Sequence, residues 1–192
     1  IRMQPVKALF ARMPRVVRDT AHQLGKEVTL VMEGEHTEID SSVMEKLADP
    51  LSHMIRNAVD HGIEVAAVRV AAGKPAQGVL RLSATTSSGR VLITLSDDGA
   101  GLNRARILEK AIARGLVSPE KNLSEQEIDQ LIFLPGFSTA DAVTNLSGRG
   151  VGLDVVRKNI ESIGGTVRLS HRPGAGTCLT LSLPLTLAIL PV

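Results

Sequence analysis

The sequence contains no tryptophan and no tyrosine, and only three phenylalanines among 192 residues. A core with so few rings must be packed mainly by Leu, Val, Ile and Ala, which argues against the aromatic stacking platforms that hold single-stranded nucleic acid. One cysteine, Cys178, excludes an internal disulfide. It lies in an alternating apolar pattern and reads as a small buried hydrophobe rather than a reactive thiol. No apolar run approaches the about 20 residues that span a bilayer, and no signal-peptide pattern opens the chain, so a cytoplasmic protein without membrane insertion is expected. An excess of one charge is lacking as well. The 22 basic and 20 acidic residues leave +2 at pH 7 with no long run of either sign, which argues against general binding to nucleic acid or anionic membranes.

The length suits one domain of ordinary size. The chain opens at Ile1 without a methionine and closes in an apolar run, residues 183–192, that resembles the start of another strand. It reads as a piece of a longer protein.

The most informative stretch is residues 51–64, Leu-Ser-His-Met-Ile-Arg-Asn-Ala-Val-Asp-His-Gly-Ile-Glu. Helical spacing puts Val43, Leu47, Leu51, Met54, Ile55, Ala58 and Val59 on one side and His53, Arg56, Asn57, Asp60 and His61 on the other. His, Asn and Asp are poor helix formers for a merely solvated face. His53, Asn57 and His61 fall at i, i+4 and i+8, a single line flanked by Arg56 and Asp60. A plain amphipathic helix remains the equal alternative on this stretch alone.

Along the chain, Pro5 suits a first helical turn, helical spacing continues to Gly25, and Pro14 predicts a kink or break. Residues 27–33 alternate as a strand. The central helix is expected from Asp40 or Ser41, with Ser42 and Glu45 as a capping box. Gly62 ends it, and residues 63–72 read as a short helix. Residues 78–87 and 90–97, joined by Ser88 and Gly89, form the strongest hairpin signal. Helices are expected over 103–114 and, with a Ser124–Glu127 cap, over 124–133. Residues 134–149 form a long irregular loop, and loops of that length in a compact domain are usually functional or disordered. A helix after Gly152 stops at Gly164 and Gly165, and a second hairpin joins 166–170 to 177–183.

Several residue sets carry chemistry. Gly148, Gly150 and Gly152 precede a helix whose positive end favours an anion, although such turns are also ordinary tight connections. Asp97 closes a strand and opens the turn Asp-Asp-Gly-Ala-Gly. A carboxylate there accepts hydrogen bonds only, which suits the exocyclic amine of adenine and opposes the carbonyl of guanine. Asn57 offers a neutral oxygen to Mg²⁺, with His53 one turn earlier as a base or a second metal neighbour and His61 as a donor to phosphate. Arg106 and Lys110 reach toward phosphates or form a solvated cationic pair.

The order of these signals resembles the N, G1, F, G2 and G3 boxes of the ATP-binding fold shared by histidine kinases, gyrase, Hsp90 and MutL. The runs His53-Met-Ile-Arg-Asn-Ala-Val-Asp-His-Gly-Ile-Glu64, Asp97-Asp-Gly-Ala-Gly-Leu102, Phe133-Leu-Pro-Gly-Phe-Ser-Thr139 and Gly148-Arg-Gly-Val-Gly-Leu-Asp154 are most similar to the kinase domain of the CheA family of chemotaxis histidine kinases. The resemblance implies an α+β, two-layer α/β sandwich (the Bergerat fold), with a mixed, largely antiparallel sheet, helices on one face and a flexible ATP lid. It divides the chain into residues 1–25, a helix arriving from a dimerisation region, residues 26–186, the ATP-binding kinase domain, and residues 187–192, the start of a regulatory domain.

The same resemblance implies ATP and Mg²⁺ as cofactors, with His53 and Asn57 at the catalytic and metal position. Nucleotide contacts fall to Arg56, Asn57, Asp60, His61, Asp97, Gly99, Gly101, Arg106, Lys110, Ser138, Thr139, Gly148, Arg149, Gly150, Val151, Gly152, Leu153 and Thr177. Arg106 stands where the family often has Lys, a change of geometry at constant charge. His53 stands where the ATP hydrolases carry Glu, which favours transfer to histidine. The implied partners are a histidine phosphotransfer domain, a CheW-like coupling protein, chemoreceptors and a response regulator. The isolated domain would be monomeric and its parent dimeric. A non-catalytic ATP-sensing module and a gyrase or Hsp90-type ATP hydrolase are the alternatives.

Overall fold

A computed structural model of the chain describes residues 2–138 and 152–186. Its elements, in order, are β1 (Met3–Pro5), α1 (Lys7–Phe10), α2 (Met13–Leu24), β2 (Val28–Glu33), β3 (Glu38–Asp40) and α3 (Ser41–Asn57). A π-turn (Ala58–Gly62), α4 (Ala66–Ala71), β4 (Gly78–Ser87), β5 (Arg90–Asp97), α5 (Arg104–Ala113) and α6 (Glu125–Gln130) follow. The 3₁₀ turn Leu131–Phe133, α7 (Leu153–Ser162), β6 (Thr166–Arg172) and β7 (Gly176–Pro184) complete the series.

Five strands form one sheet in the order β2-β4-β5-β7-β6, with β2 and β4 parallel and every other pair antiparallel. Alternation decides its two faces. Leu80, Leu82 and Ala84 of β4, Val91, Ile93 and Leu95 of β5, and Leu179, Leu181 and Leu183 of β7 are buried on one side. The register sets Leu82 opposite Leu95, Ile93 opposite Leu181 and Val91 opposite Leu183, so the apolar rows are continuous across strands. Helices α2, α3 and α7 cover that side with Val17, Leu47, Leu51, Met54, Val156 and Ile160. The opposite side carries Ser83, Thr94, Ser96, Thr180 and Ser182, all only partly buried. This is the expected two-layer sandwich with a largely antiparallel sheet.

The first residues belong to the same core. Val6, Leu9, Phe10 and Met13 are buried in it, and β1 pairs antiparallel with β3. Pro5 ends that strand instead of opening a helix, because its neighbours Met3 and Gln4 pair with Asp40 and Ile39. Pro14 does mark a break: α1 stops at Phe10, and Pro14 occupies the first turn of α2, where its missing N–H has no helical partner to lose. Gly25 ends α2 with φ +64.

The cap of α3 differs from expectation. The Asp40 carboxylate, not the Ser42–Glu45 pair, accepts the Ser42 N–H at 2.9 Å. Two backbone carbonyls meet the same helix start: Leu185 accepts from the Asp40 N–H at 3.1 Å and Arg2 from the Ser41 N–H at 2.8 Å. Cys178 also departs from its reading. Its register with Ser96 turns it to the uncovered side, where it is half-buried with Sγ 3.9 Å from the Thr180 hydroxyl. Among the described residues no helix is long and apolar enough to cross a membrane.

Candidate functional site

The C-terminal end of α3 leaves the α-helical path. The Ile63 N–H donates to the Ala58 carbonyl at 2.9 Å, an i to i+5 bond that widens the last turn, a device that recurs at functional sites. Lys26 holds this turn, its ammonium donating to the carbonyls of Val59 at 2.8 Å and Asp60 at 2.6 Å. Burial pushes the Lys26 amine below its ordinary value, partly offset by Asp60 and Glu64.

The core side of α3 is as expected, but its polar line is not continuous. His53 is buried, 8% exposed, whereas Arg56, Asn57 and Asp60 are half-buried. The wider turn takes His61 off the line, so that its side chain is 71% exposed and lies 3.5 Å from the Asp60 carboxylate.

Asp97 faces the helix-covered side of the sheet, since its register partner is Leu80. One carboxylate oxygen accepts the Gly99 N–H at 2.9 Å, and the Thr177 N–H also bonds the group. Burial pushes the Asp97 carboxyl up to about 6, the two N–H groups oppose the shift, and the nearby Asp98 and Glu64 charges add to it. The glycines around it are required by space. A β-carbon on Gly62 would lie 3.0 Å from an Asp97 oxygen, one on Gly99 2.0 Å from the Gly62 carbonyl oxygen, and one on Gly176 1.9 Å from the Asp97 carbonyl oxygen. Gly101 has φ +74, and a β-carbon there would meet the Arg172 carbonyl oxygen at 2.6 Å. A cleft of about 390 Å³ borders Asp97, Thr177 and His171. Ser96 and Ser170 also line it, so it wraps the end of the sheet.

Two residues that sequence reasoning passed over, Arg69 and Lys74, hold the Asp97 turn, with Glu64 as their common partner. Arg69 is fully buried. It donates to Glu64 at 2.9 Å, to the Asp98 carboxylate and carbonyl at 3.1 Å each, and to the Pro75 carbonyl at 2.8 Å. Lys74 donates to Glu64 at 2.7 Å and to the carbonyls of Asp98 at 3.1 Å and Gly99 at 2.8 Å. The other Asp98 oxygen accepts the Val79 N–H at 2.9 Å. The adjacent acids thus divide their roles, Asp98 as anchor and Asp97 as the group turned under the helices.

On the other flank, Arg104 makes a two-point pair with Asp129 at 2.9 Å, and Asp129 accepts from His171 Nε2 at 3.0 Å. His171 Nδ1 in turn accepts the Leu102 N–H at 3.3 Å. That chain of contacts ties β6, α6 and the loop after Asp97 together. Burial would raise the Asp129 carboxyl, but Arg104 and His171 hold it below its ordinary value.

Arg106 is exposed, and its backbone N–H is capped by Asn103 at 3.1 Å. Lys110 places its ammonium 4.6 Å from the centre of the Phe137 ring, and burial together with Arg114 lowers its amine. Arg114 donates to the Phe137 carbonyl. Ser138 and Gly152 abut, since a β-carbon on Gly152 would stand 2.9 Å from the Ser138 side chain. Leu153 begins α7, which packs on α3. Thr139, Gly148, Arg149, Gly150 and Val151, together with residues 139–149 of the expected lid and the last six residues, lie outside the described residues. The structure therefore brings the α3 end, the Asp97 turn and Thr177 together. Among the described residues no group of three or more His, Cys, Asp or Glu could hold a metal, and Asn57 offers a neutral amide oxygen at the last position of α3.

Comparison with known proteins gives a consistent result. The profile of the family described as histidine kinase-, DNA gyrase B- and HSP90-like ATPase matches residues 46–187. The chain is 55% identical over 190 residues to the chemotaxis protein CheA of Rhizobium meliloti, covering 99% of this chain and 25% of that protein. It is 57% identical to the CheA of Cereibacter sphaeroides, covering 99% and 28%, and 48% identical to the sensor histidine kinase CheAY of Helicobacter pylori, covering 98% and 24%. The chain thus spans about a quarter of the length of these relatives. Among solved structures, the catalytic domain of histidine kinase ThkA aligns with a TM-score of 0.57 at 13% identity, covering 96% of this chain and 95% of that one. The histidine kinase AdeS of Acinetobacter baumannii aligns with a TM-score of 0.55 at 15% identity, covering 96% and 66%.

Proposed function

Because the chain belongs to the family of histidine kinase-, DNA gyrase B- and HSP90-like ATPases, we propose that it is the ATP-binding catalytic domain of a CheA-type chemotaxis kinase. Its γ-phosphoryl acceptor is a histidine on a separate phosphotransfer domain of the same or a partner chain. The observation that carries the adenine assignment is Asp97, a carboxylate under the helices with two backbone donors and glycine on three sides. In its ionised form it accepts from the adenine amine and opposes the guanine carbonyl.

The residues present fit nucleotide and metal. Gly62, Gly99 and Gly176 let the end of the π-turn, the Asp97 turn and β7 close against one another, which a side chain at any of the three would prevent. Asn57 supplies one neutral oxygen, suited to Mg²⁺, which takes few protein ligands and completes its shell with water and phosphate. Bound Mg²⁺ supplies charge neutralisation on the phosphates. His53, one turn before Asn57, orients and receives a proton at the reacting end, and Arg56, His61, Arg106 and Lys110 offer positive charge to the phosphates. Thr177 closes the base side. A CheW-like coupling protein, chemoreceptors and a response regulator are partners of the parent protein, which is dimeric and cytoplasmic.

The test is transfer from labelled ATP to a purified CheA-type phosphotransfer domain with Mg²⁺ present, beside calorimetric titration of ATP. Labelled histidine is expected. Binding without transfer would favour an ATP-sensing module, and release of free phosphate at the same rate without acceptor would favour a hydrolase of the gyrase or Hsp90 type.

A further inference from the structure

Arg69 sits in α4, a six-residue helix whose apolar residues Val68 and Val70 are 53% and 59% exposed while the arginine is fully buried. The usual arrangement is inverted. An unpaired guanidinium in that position would be strongly destabilising, and a well-packed apolar residue would serve stability as well as a buried ion cluster does. The partners of Arg69 and Lys74 show where the cluster acts. Apart from the Pro75 carbonyl, they are Glu64, the Asp98 carboxylate and the carbonyls of Asp98 and Gly99. Two of these groups belong to the backbone that bears Asp97.

We propose that Arg69 and Lys74 are positioning residues that set the nucleobase selectivity of the site, by clamping the Asp98–Gly99 backbone and neutralising the two carboxylates beside Asp97. The proposal rests on Asp97 as the adenine acceptor. Three acids, Glu64, Asp97 and Asp98, meet Arg69 and Lys74, and Lys26 also acts on Glu64. Ion pairs occupy Glu64 and Asp98, so the remaining negative charge stays on Asp97. The groups acting on it are the Gly99 and Thr177 N–H donors, Glu64 and Asp98, and His171 lines the same cleft. Discrimination between an amine and a carbonyl depends on the acceptor's position, because a misplaced carboxylate leaves either base badly paired.

The experiment measures ATP and GTP affinities across pH for the unaltered chain, Lys74→Met, Arg69→Met, and each variant combined with Glu64→Gln or Asp98→Asn. Val17→Ala, in the core of α2, is the control for general destabilisation. Lys74 is partly exposed, so its variant keeps the test open if Arg69→Met does not fold. The unaltered chain should prefer ATP, with binding weakening in acid as Asp97 takes up a proton. Lys74→Met should narrow the ATP over GTP ratio by about tenfold or more and move the acid midpoint to higher pH. Adding Glu64→Gln should return the midpoint toward its original value. Val17→Ala should change neither quantity. An unchanged ratio and midpoint in folded clamp variants, or equal changes in Val17→Ala, would overturn the inference while leaving the adenine reading intact. No preference for ATP in the unaltered chain would overturn the adenine reading and the inference with it.

Discussion

The Gly62 carbonyl accepts the Ala100 N–H at 2.9 Å, so a backbone hydrogen bond ties the π-turn that follows α3 directly to the turn after Asp97. Side chains have no room to intrude. A β-carbon on Gly99 would lie 2.0 Å from that carbonyl oxygen and 2.9 Å from an Asp97 oxygen. Gly99→Ala should therefore destabilise the domain by about 1–3 kcal/mol through overpacking and abolish tight ATP binding. Urea denaturation and calorimetry read the two effects, and unchanged stability would mean that the turn can shift aside.

Asp97→Asn separates function from stability. The carboxyl is raised from its ordinary 3.8 to about 6 in the folded state. Its contribution to stability is fully present below the unfolded value and is lost as pH rises through about 6. The apo variant should then be more stable at pH 7 by up to about 3 kcal/mol, with a flatter profile between those values. ATP affinity should fall by about 1–3 kcal/mol, because a donor would confront the adenine amine. Equal affinity would remove Asp97 from base recognition.

The strap from Arg104 through Asp129 to His171 has the opposite sign. Asp129 is held below its ordinary carboxylate value, so its contribution is present above about pH 3.8 and disappears as pH falls through the lower folded value. Asp129→Asn should cost about 1–3 kcal/mol at pH 7 and flatten the most acidic part of the unfolding profile. A variant as stable as the unaltered chain would show that the loop after Asp97 is held by other contacts.

Lys26→Met leaves the Val59 and Asp60 carbonyls without their ammonium donor. The expected loss is about 1–3 kcal/mol, and faster hydrogen exchange should be confined to the turn ending at Ile63. If the amides of that turn exchange as before, the π-turn does not depend on Lys26.

His53→Ala tests the chemical step. Transfer to the phosphotransfer domain should fall by at least about tenfold while ATP binding changes little. Undiminished transfer would take His53 out of the reaction.

Much of this architecture could be read from the sequence because its signals are local. Ser88 has φ +51 and Gly89 φ +75, the geometry a two-residue hairpin demands, and both flanking strands alternate in step with the sheet faces. The Ser124–Glu127 capping box forms as expected. The misses are non-local. Whether Ser42 or Asp40 caps α3 depends on β3 running to Asp40, which only its pairing with Met3 decides. Arg69 reads as an ordinary surface residue, since its partners come from positions 64, 75 and 98. A signal was available in the exposed valines on either side of it and in the second acid of the Asp97–Asp98 pair. His61 left the expected line because a π-turn has no distinct sequence pattern.

Arg2 and Leu185 lie at opposite extremes of the described chain, yet their carbonyls meet successive amides at the foot of α3. Both flanks are moored to one post, and Asn57 rides at the far end of the same rod. Tension or torque arriving from either side would enter the molecule at this shared anchorage before reaching any other part of it.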